Sequence, residues 1–142
     1  MLRYELEKKI FNENLSVKDI PNTWNQMFNE WFGLEVPEDR LGCLQDIHWS
    51  MGAFGYFPTY TLGNLYAAQL LEAMSQEIGD VDELIETGDW SPMLDWLRPK
   101  IHLQGSKLTP SKLIEQATGV PPTPQPFIDY VESKYSKLYN LT

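Results

Sequence analysis

Apolar residues recur at three- and four-residue steps through most of this 142-residue chain, and this period constrains its fold more than any other feature. Near the start, Leu2, Leu6 and Ile10 follow one another at four-residue steps, with charged residues between them. Near the end, the same spacing relates Phe127, Tyr130, Val131, Lys134, Tyr135 and Leu138. Such a period is that of an α-helix with one buried face. The sequence therefore predicts an all-α fold.

Proline and glycine indicate where these helices begin and end, because Pro suits a first helical turn and Gly accepts the left-handed conformation of a C-cap. We predict a first helix from Leu2 to Asn14 and a second that begins after Ser16 and stops at Gly33. Later helices are predicted at 58–79, 80–86, 89–101, 109–119 and 127–139. Together they are expected to form a single helical domain over residues 1–142, with one short strand or strand pair near 44–49 as the only departure from helix.

The charge of the chain argues against nucleic-acid partners. Twenty acidic residues against 11 basic ones give a net charge of −9, and a field of that sign repels a phosphate backbone. No apolar stretch approaches the ~18–20 residues that span a bilayer, and the N-terminus does not have the pattern of a signal peptide. We therefore expect a soluble, cytoplasmic protein that binds neither nucleic acid nor membranes.

The sequence offers no metal site of its own. His48 and His102 are the only histidines, Cys43 is the only cysteine, and no His-Glu-x-x-His motif occurs. A catalytic zinc needs three protein ligands, so no metal is expected to bind this chain. Cys43 is expected to be a small buried hydrophobic residue, and a nucleophilic pairing of Cys43 with His48 is a much weaker interpretation.

The segment Gln45–Trp49 places an amide, a carboxylate and an imidazole close together in sequence. If the segment is extended, its period of two puts Asp46 and His48 on one face, with Gln45 and Trp49 on the other. The Asp46 carboxylate could then fix the imidazole tautomer, and His48 could donate a hydrogen bond to a developing oxyanion. Tyr56 and Tyr60, which follow shortly after, carry phenols that can donate to the same kind of charge. The alternative interpretation stays open that Asp46 and His48 form a purely structural pair and that the tyrosines belong to the core.

The string Gly42-Cys43-Leu44-Gln45-Asp46-Ile47-His48-Trp49 resembles the Gly-x-x-Gln-Asp-x-His-Trp signature of the thermostable metallocarboxypeptidases, the carboxypeptidase Taq type. The stretch from Phe54 to Tyr60 continues the resemblance, which extends in patches to Leu138-Tyr139 and so covers nearly the whole chain. It implies the C-terminal part of a zincin-like, mainly helical metallopeptidase that releases C-terminal amino acids from peptides. The metal, zinc or another divalent ion, would be held by a His-Glu-x-x-His helix that this chain lacks, so the chain alone is expected to be inactive.

The resemblance also implies roles for individual residues. His48 and Tyr60 would act as catalytic hydrogen-bond donors, with Asp46 orienting the imidazole. Tyr56, Gln45 and Trp49 would contribute to or support the binding of the peptide substrate. We expect a homo-oligomer, a dimer. The alternative function is a non-catalytic helical module that binds peptides or drives oligomerisation through its aromatic segment.

Overall fold

The computed structural model describes residues 1–141, and these residues form α-helices joined by turns, with no strand among them. The helices within the described range are α1 (Leu2–Asn12), α2 (Ile20–Phe32), α3 (Pro58–Ile78), α4 (Val81–Thr87), α5 (Ser91–Lys100), α6 (Pro110–Thr118) and α7 (Gln125–Tyr139). The predicted all-α class is therefore confirmed. No helix in this range is both long and apolar enough to cross a membrane.

Several local signals for helix ends act as expected, although α2 begins at Ile20, after a 3₁₀ turn at Val17–Asp19, and not directly after Ser16. α2 and α6 end at Gly33 and Gly119, which adopt the left-handed conformation with φ of 65° and 82°. α6 begins at Pro110, and α4 begins after Asp80, whose side chain accepts hydrogen bonds from the backbone N–H groups of Asp82 and Glu83. These devices are properties of a few neighbouring residues, so the sequence alone reveals them.

The predicted strand near 44–49 is wrong. The backbone there closes local hydrogen bonds, from Leu44 N–H to the Asp39 carbonyl and from Gln45 N–H to the Gly42 carbonyl, at 2.9 and 3.2 Å. His48 has helical angles, φ −56° and ψ −52°, and it leads into a 3₁₀ turn at Trp49–Met51. The hydrogen bonds of Leu44 and Gln45 are thus those of turns and not of a ladder between two strands.

The chain divides into two compact units, Met1–Thr61 and Leu62–Thr142, with the division falling inside α3. The first unit has its own core, in which Leu2 and Leu6 of α1 meet Trp24 and Met27 of α2, with Cys43 beside them. The second unit has a core of Met74, Val81 and Trp96. Because the division lies within one continuous helix, the single domain stays a prediction, and each unit is described by itself below.

In the second unit, Gln69 of α3 fastens the proline-rich segment between α6 and α7. The residue is 1% exposed, and its amide nitrogen lies 3.2 Å from both the Val120 and Pro121 carbonyl oxygens. Its carbonyl oxygen accepts from the Thr123 N–H at 3.0 Å. A buried amide used at both ends in this way fixes the path of a segment that has little secondary structure of its own.

Candidate functional site

The candidate site lies on the loop of the first unit that joins α2 to α3, and two glycines shape this loop. A Cβ on Gly42 would come within 2.7 Å of Val36 Cγ1 and 3.2 Å of Trp24 Cδ1, so only glycine fits against the core there. Gly55 has φ of 73°, in the left-handed region that glycine populates freely. These positions turn the chain so that the residues between them lie over α1.

Asp46 and His48 form a pair, although not by way of a strand. Asp46 Oδ1 accepts a hydrogen bond from the His48 backbone N–H at 3.0 Å, which is an Asx-type turn. The same oxygen lies 3.3 Å from His48 Nδ1. A carboxylate can only accept, so the neutral imidazole that satisfies this contact carries its proton on Nδ1.

The other nitrogen of His48 faces Tyr60. His48 Nε2 lies 3.2 Å from the Tyr60 hydroxyl oxygen, and the Phe57 ring packs on the imidazole with ring centroids 4.8 Å apart. With Nδ1 protonated, Nε2 of the neutral ring accepts the Tyr60 hydroxyl proton. When the ring is doubly protonated, Nε2 donates instead, and the Tyr60 proton is available to another acceptor. Since Tyr60 is 54% exposed, that acceptor can come from solution.

Arg3, which the sequence reasoning missed, continues this chain of contacts on the far side of Asp46. Arg3 Nη2 lies 2.6 Å from Asp46 Oδ2. The guanidinium carbon is 4.8 Å from the ring centroids of both Trp24 and Phe57, so the charge lies against two aromatic rings. The result is a continuous series of polar contacts from Arg3 through Asp46 and His48 to Tyr60.

Glu7 is a second missed residue, one turn after Arg3 on α1. It is 5% exposed, and its Oε1 accepts from the Trp49 indole N–H at 2.8 Å and from the Gly55 backbone N–H at 3.2 Å. A signal for both residues exists in the sequence. Arg3 and Glu7 each follow a leucine of the buried stripe of α1, where a charge is next to the core. The partners of Glu7, Trp49 and Gly55, lie 42 and 48 positions away along the chain and give no such signal.

The remaining predicted site residues surround this series. Tyr56 is 47% exposed, and its ring lies edge-on to Tyr60 with centroids 5.4 Å apart. Gln45 is exposed and lines, with Tyr60, a cavity of about 310 Å³ whose other walls are largely aromatic: Trp24, Phe28, Phe32 and Phe57. The indole of Trp49 points toward α1, because its N–H donates a hydrogen bond to Glu7.

Cys43 does not have the surroundings of a nucleophile. It lies in the core of the first unit, where burial, followed by the negative charge of Asp39, raises the pKa of its thiol. An activated cysteine needs the opposite shift. The prediction of a small buried hydrophobic residue is therefore confirmed. His102 is exposed and begins a 3₁₀ turn after α5.

A catalytic zinc needs three protein ligands that lie close together. Among residues 1–141, no three His, Cys, Asp or Glu side chains come together as a set that could hold a metal ion. The Asp46 carboxylate is occupied by Arg3 and by the His48 backbone. The described residues therefore do not fit a catalytic metal, whereas the exposed Tyr60 hydroxyl is able to donate a hydrogen bond.

Comparison with known proteins gives consistent similarities over almost the whole chain. A family model described as "Carboxypeptidase Taq (M32) metallopeptidase" matches residues 1–135. The chain is 43% identical over 141 residues to "Carboxypeptidase 1" of Bacillus subtilis, covering 99% of this chain and 28% of that protein. It is 42% identical to "Thermostable carboxypeptidase 1" of Thermus thermophilus, covering 98% of this chain and 27% of that protein.

Solved structures resemble the chain equally well. The M32 carboxypeptidase from Deinococcus radiodurans R1 superposes with a TM-score of 0.93 at 35% identity, over 99% of this chain and 28% of that one. Metallocarboxypeptidase 1 of Trypanosoma cruzi gives a TM-score of 0.88 at 42% identity, over 94% of this chain and 28% of that one. The chain thus spans little more than a quarter of the length of the relatives it matches.

Proposed function

Because the chain belongs to the carboxypeptidase Taq (M32) metallopeptidase family, we propose that its Tyr60 region binds the peptide substrate of a metallocarboxypeptidase. Tyr60 donates a hydrogen bond to the oxygen on which negative charge develops as the C-terminal peptide bond is hydrolysed. The observation that carries this proposal is the 3.2 Å contact between His48 Nε2 and the hydroxyl of an exposed Tyr60. Peptides are the substrate class, and a cytoplasmic location is part of the same proposal.

His48 and Asp46 act behind Tyr60. With a second proton on the imidazole, Nε2 donates to the Tyr60 oxygen and leaves the phenol proton for the substrate. Charge that develops on the substrate oxygen strengthens this donation, and Asp46 stabilises the imidazolium that supports it. His48 reaches the substrate directly only where its contact with Tyr60 opens, so Tyr60 is the principal donor in this proposal.

Gln45 and Tyr56 complete the binding surface. Aromatic rings form much of the wall of the cavity of about 310 Å³ beside Tyr60, and Gln45 is one of the residues that line it. Such a cavity suits an apolar side chain of the peptide, while the amide and the Tyr56 phenol bind backbone groups. Trp49 supports the loop rather than touching substrate, because its indole N–H is used by Glu7.

The metal of the reaction lies outside these residues in this proposal. No ligand set fits one among residues 1–141, and the chain spans 28% of the length of Carboxypeptidase 1 of Bacillus subtilis. Zinc or another divalent ion is then held by parts of family proteins that this chain does not match. The chain alone is accordingly expected to be inactive.

A chimera tests the proposal. The chain replaces the matching 28% of Carboxypeptidase 1 of Bacillus subtilis, and hydrolysis of a blocked dipeptide is followed. Loss of one oxyanion donor costs roughly 100- to 1,000-fold in kcat, so Tyr60→Phe should lower kcat by about that factor. Tyr139→Phe removes an exposed phenol of α7 and serves as the matched control, and the isolated chain serves as the inactive reference. A kcat for Tyr60→Phe within twofold of the parent chimera refutes the role of Tyr60.

A second candidate function is a non-catalytic module that binds peptides or forms oligomers, including a dimer. One observation favours it, the exposure of four aliphatic side chains along a single loop: Leu41, Leu44, Ile47 and Met51 are each more than half exposed. Exposed apolar side chains close together in sequence are a feature that interaction sites share. If this function were the main one, Tyr60→Phe would leave the chimera unaffected, so the same experiment separates the two candidates.

A further inference from the structure

Helix α1 holds both ends of the loop that carries His48, through two charged residues outside the loop. Arg3 binds Asp46 before the histidine, and Glu7 binds Trp49 and Gly55 after it. We infer that Arg3 and Glu7 are positioning residues: Arg3 determines which imidazole nitrogen of His48 faces Tyr60, and Glu7 fixes the loop that presents it. This inference rests on the proposed function only in giving Tyr60 a use.

Arg3 affects His48 through the position of the imidazole proton. Arg3 pairs with Oδ2 of Asp46, which leaves Oδ1 for the backbone and side chain of His48. An anchored carboxylate at Nδ1 favours the neutral tautomer with its proton on Nδ1. In this neutral form Nε2 accepts the Tyr60 hydroxyl proton, and the same ring orientation lets Nε2 donate to Tyr60 once it binds the second proton of the proposed function. Without this orientation, Nε2 would carry the proton, and the neutral imidazole could not accept from Tyr60.

The surroundings of Arg3 make it a firm anchor. Its side chain is 16% exposed, and the ring centroids of Trp24 and Phe57 each lie 4.8 Å from its guanidinium carbon. The guanidinium is therefore little screened by solvent and has little freedom to leave Asp46. The ionisable groups that face His48 are Asp46, Tyr56 and Tyr60, so Arg3 acts on the imidazole through Asp46.

Glu7 acts on the backbone of the loop. Trp49 directly follows His48, and Gly55 directly precedes Tyr56, so one carboxylate oxygen ties together the two stretches that bear the candidate donors. The 5% exposure of Glu7 shows that this tie is made inside the protein. Its side chain reaches neither His48 nor Tyr60 by a hydrogen bond in the described residues, so its effect on them passes through the loop.

The tautomer of His48 tests the role of Arg3 without any measurement of catalysis. In the ¹⁵N-labelled 142-residue chain, long-range ¹H–¹⁵N spectra distinguish the Nδ1–H from the Nε2–H form, and His102 is the one other histidine and an internal reference. We expect the Nδ1–H form to dominate for His48 at a pH where the imidazole is neutral. Arg3→Gln should lower the Nδ1–H to Nε2–H ratio by about fivefold or more, which is the weight of a charge-assisted contact.

Two further variants separate positioning from general effects of charge. Arg3→Lys restores a cation beside Asp46 and should bring the ratio back to within about twofold of the parent. Lys8→Gln removes a cation of the same helix that pairs with Glu5 on the surface, and it should change nothing at His48. An unchanged ratio in a folded Arg3→Gln chain overturns the role of Arg3. If Arg3→Gln does not fold, a parent chain with the Nε2–H tautomer overturns it equally.

Glu7 is tested by the signals of its two partners. Glu7→Gln keeps an acceptor oxygen and should preserve the indole N–H resonance of Trp49 and the amide resonance of Gly55. Glu7→Leu removes the acceptor and should move both resonances, together with those of His48. If Glu7→Leu folds and all these resonances stay in place, Glu7 does not position the loop. If Glu7→Leu does not fold, displaced resonances of Trp49 and Gly55 in Glu7→Gln contradict the positioning role of Glu7. None of these results depends on whether Tyr60 contributes to hydrolysis.

Discussion

Replacing Asp46 by Asn probes the centre of the candidate site with almost no change of shape. The amide oxygen of Asn can still accept from the His48 backbone N–H, the contact that measures 3.0 Å to Asp46. The amide nitrogen cannot accept from Arg3, so the ion pair with Asp46 Oδ2 is lost. The guanidinium then stays against Trp24 and Phe57 without its counter-charge.

The expected cost follows from the burial of the pair. Hydrogen bonds to charged groups contribute about 1.5–3 kcal/mol, and removing one partner leaves the other to be desolvated alone. The side chains of Arg3 and Asp46 are 16% and 27% exposed, so water replaces the lost partner only in part. We therefore expect Asp46→Asn to lower the free energy of unfolding of the first unit by about 2 kcal/mol.

The measurement has to report on the first unit by itself, because the chain has two compact units and need not unfold in one step. Urea unfolding followed through the indole N–H signals of Trp24 and Trp49 meets this condition. Glu38→Gln is the matched control, since it breaks the exposed Arg40–Glu38 pair within the same unit. Exposed pairs are worth about 0–1 kcal/mol, so this change should be nearly neutral. If Asp46→Asn costs no more than Glu38→Gln, the reasoning about the Arg3–Asp46 pair is refuted.

Two further predictions concern buried polar groups away from the Tyr60 surface. Gln69→Leu leaves the Thr123 N–H and the carbonyls that Gln69 binds without partners. The free energy of unfolding of the second unit should fall by about 2–3 kcal/mol, measured by urea unfolding monitored at Trp96. Gln76→Leu, on the exposed side of the same helix, is the control and should be close to neutral. Burial raises the pKa of the Cys43 thiol, so a smaller fraction of it is thiolate at any given pH. Alkylation of Cys43 by iodoacetamide near neutral pH should therefore be at least about tenfold slower than alkylation of free cysteine. The difference should disappear when urea unfolds the chain. A rate equal to that of free cysteine would contradict the buried position.

The parts of the fold that sequence predicts well are those fixed by neighbouring residues. The stop of α2 at Gly33 and the start of α6 at Pro110 depend on backbone angles that glycine and proline favour. The first helix was expected to reach Asn14 but ends at Asn12, where Glu13 leaves helical geometry. Helix ends fray over a residue or two, so this difference is of the ordinary kind.

The Asp46–His48 pair was predicted for the wrong reason. Alternation along a strand was expected to put the two side chains on one face, whereas a turn brings them together. A carboxylate binds the N–H two residues ahead in an Asx turn, and this local bond competes with extended structure. The spacing Asp-x-His therefore predicts proximity in either conformation, which explains why the pair is present although the strand is not.

Arg3 and Glu7 show where prediction from the sequence stops. Their position on α1 could be read from the helical period, but their partners lie beyond the end of α1 and the whole of α2, on a loop without a period. Glu7 reaches Trp49 and Gly55 because the loop lies against α1, and Gly42 and Gly55 are among the residues that determine its path. Long-range pairing of this kind depends on the packed core, and no local rule supplies it.

The buried Glu7 and the largely covered Arg3–Asp46 pair also bear on which interpretation of the site is stronger. A buried ion pair seldom stabilises a protein more than well-packed apolar side chains of similar volume would, because both charges lose their hydration. Leu2 and Leu6, beside Arg3 and Glu7 on the same helix, show that apolar packing is available there. The charges instead converge on one loop, and the series from Arg3 ends at Tyr60, whose phenol is 54% exposed. A core pair kept for stability alone has no need to extend to an exposed phenol, so the arrangement favours the catalytic interpretation over the purely structural one.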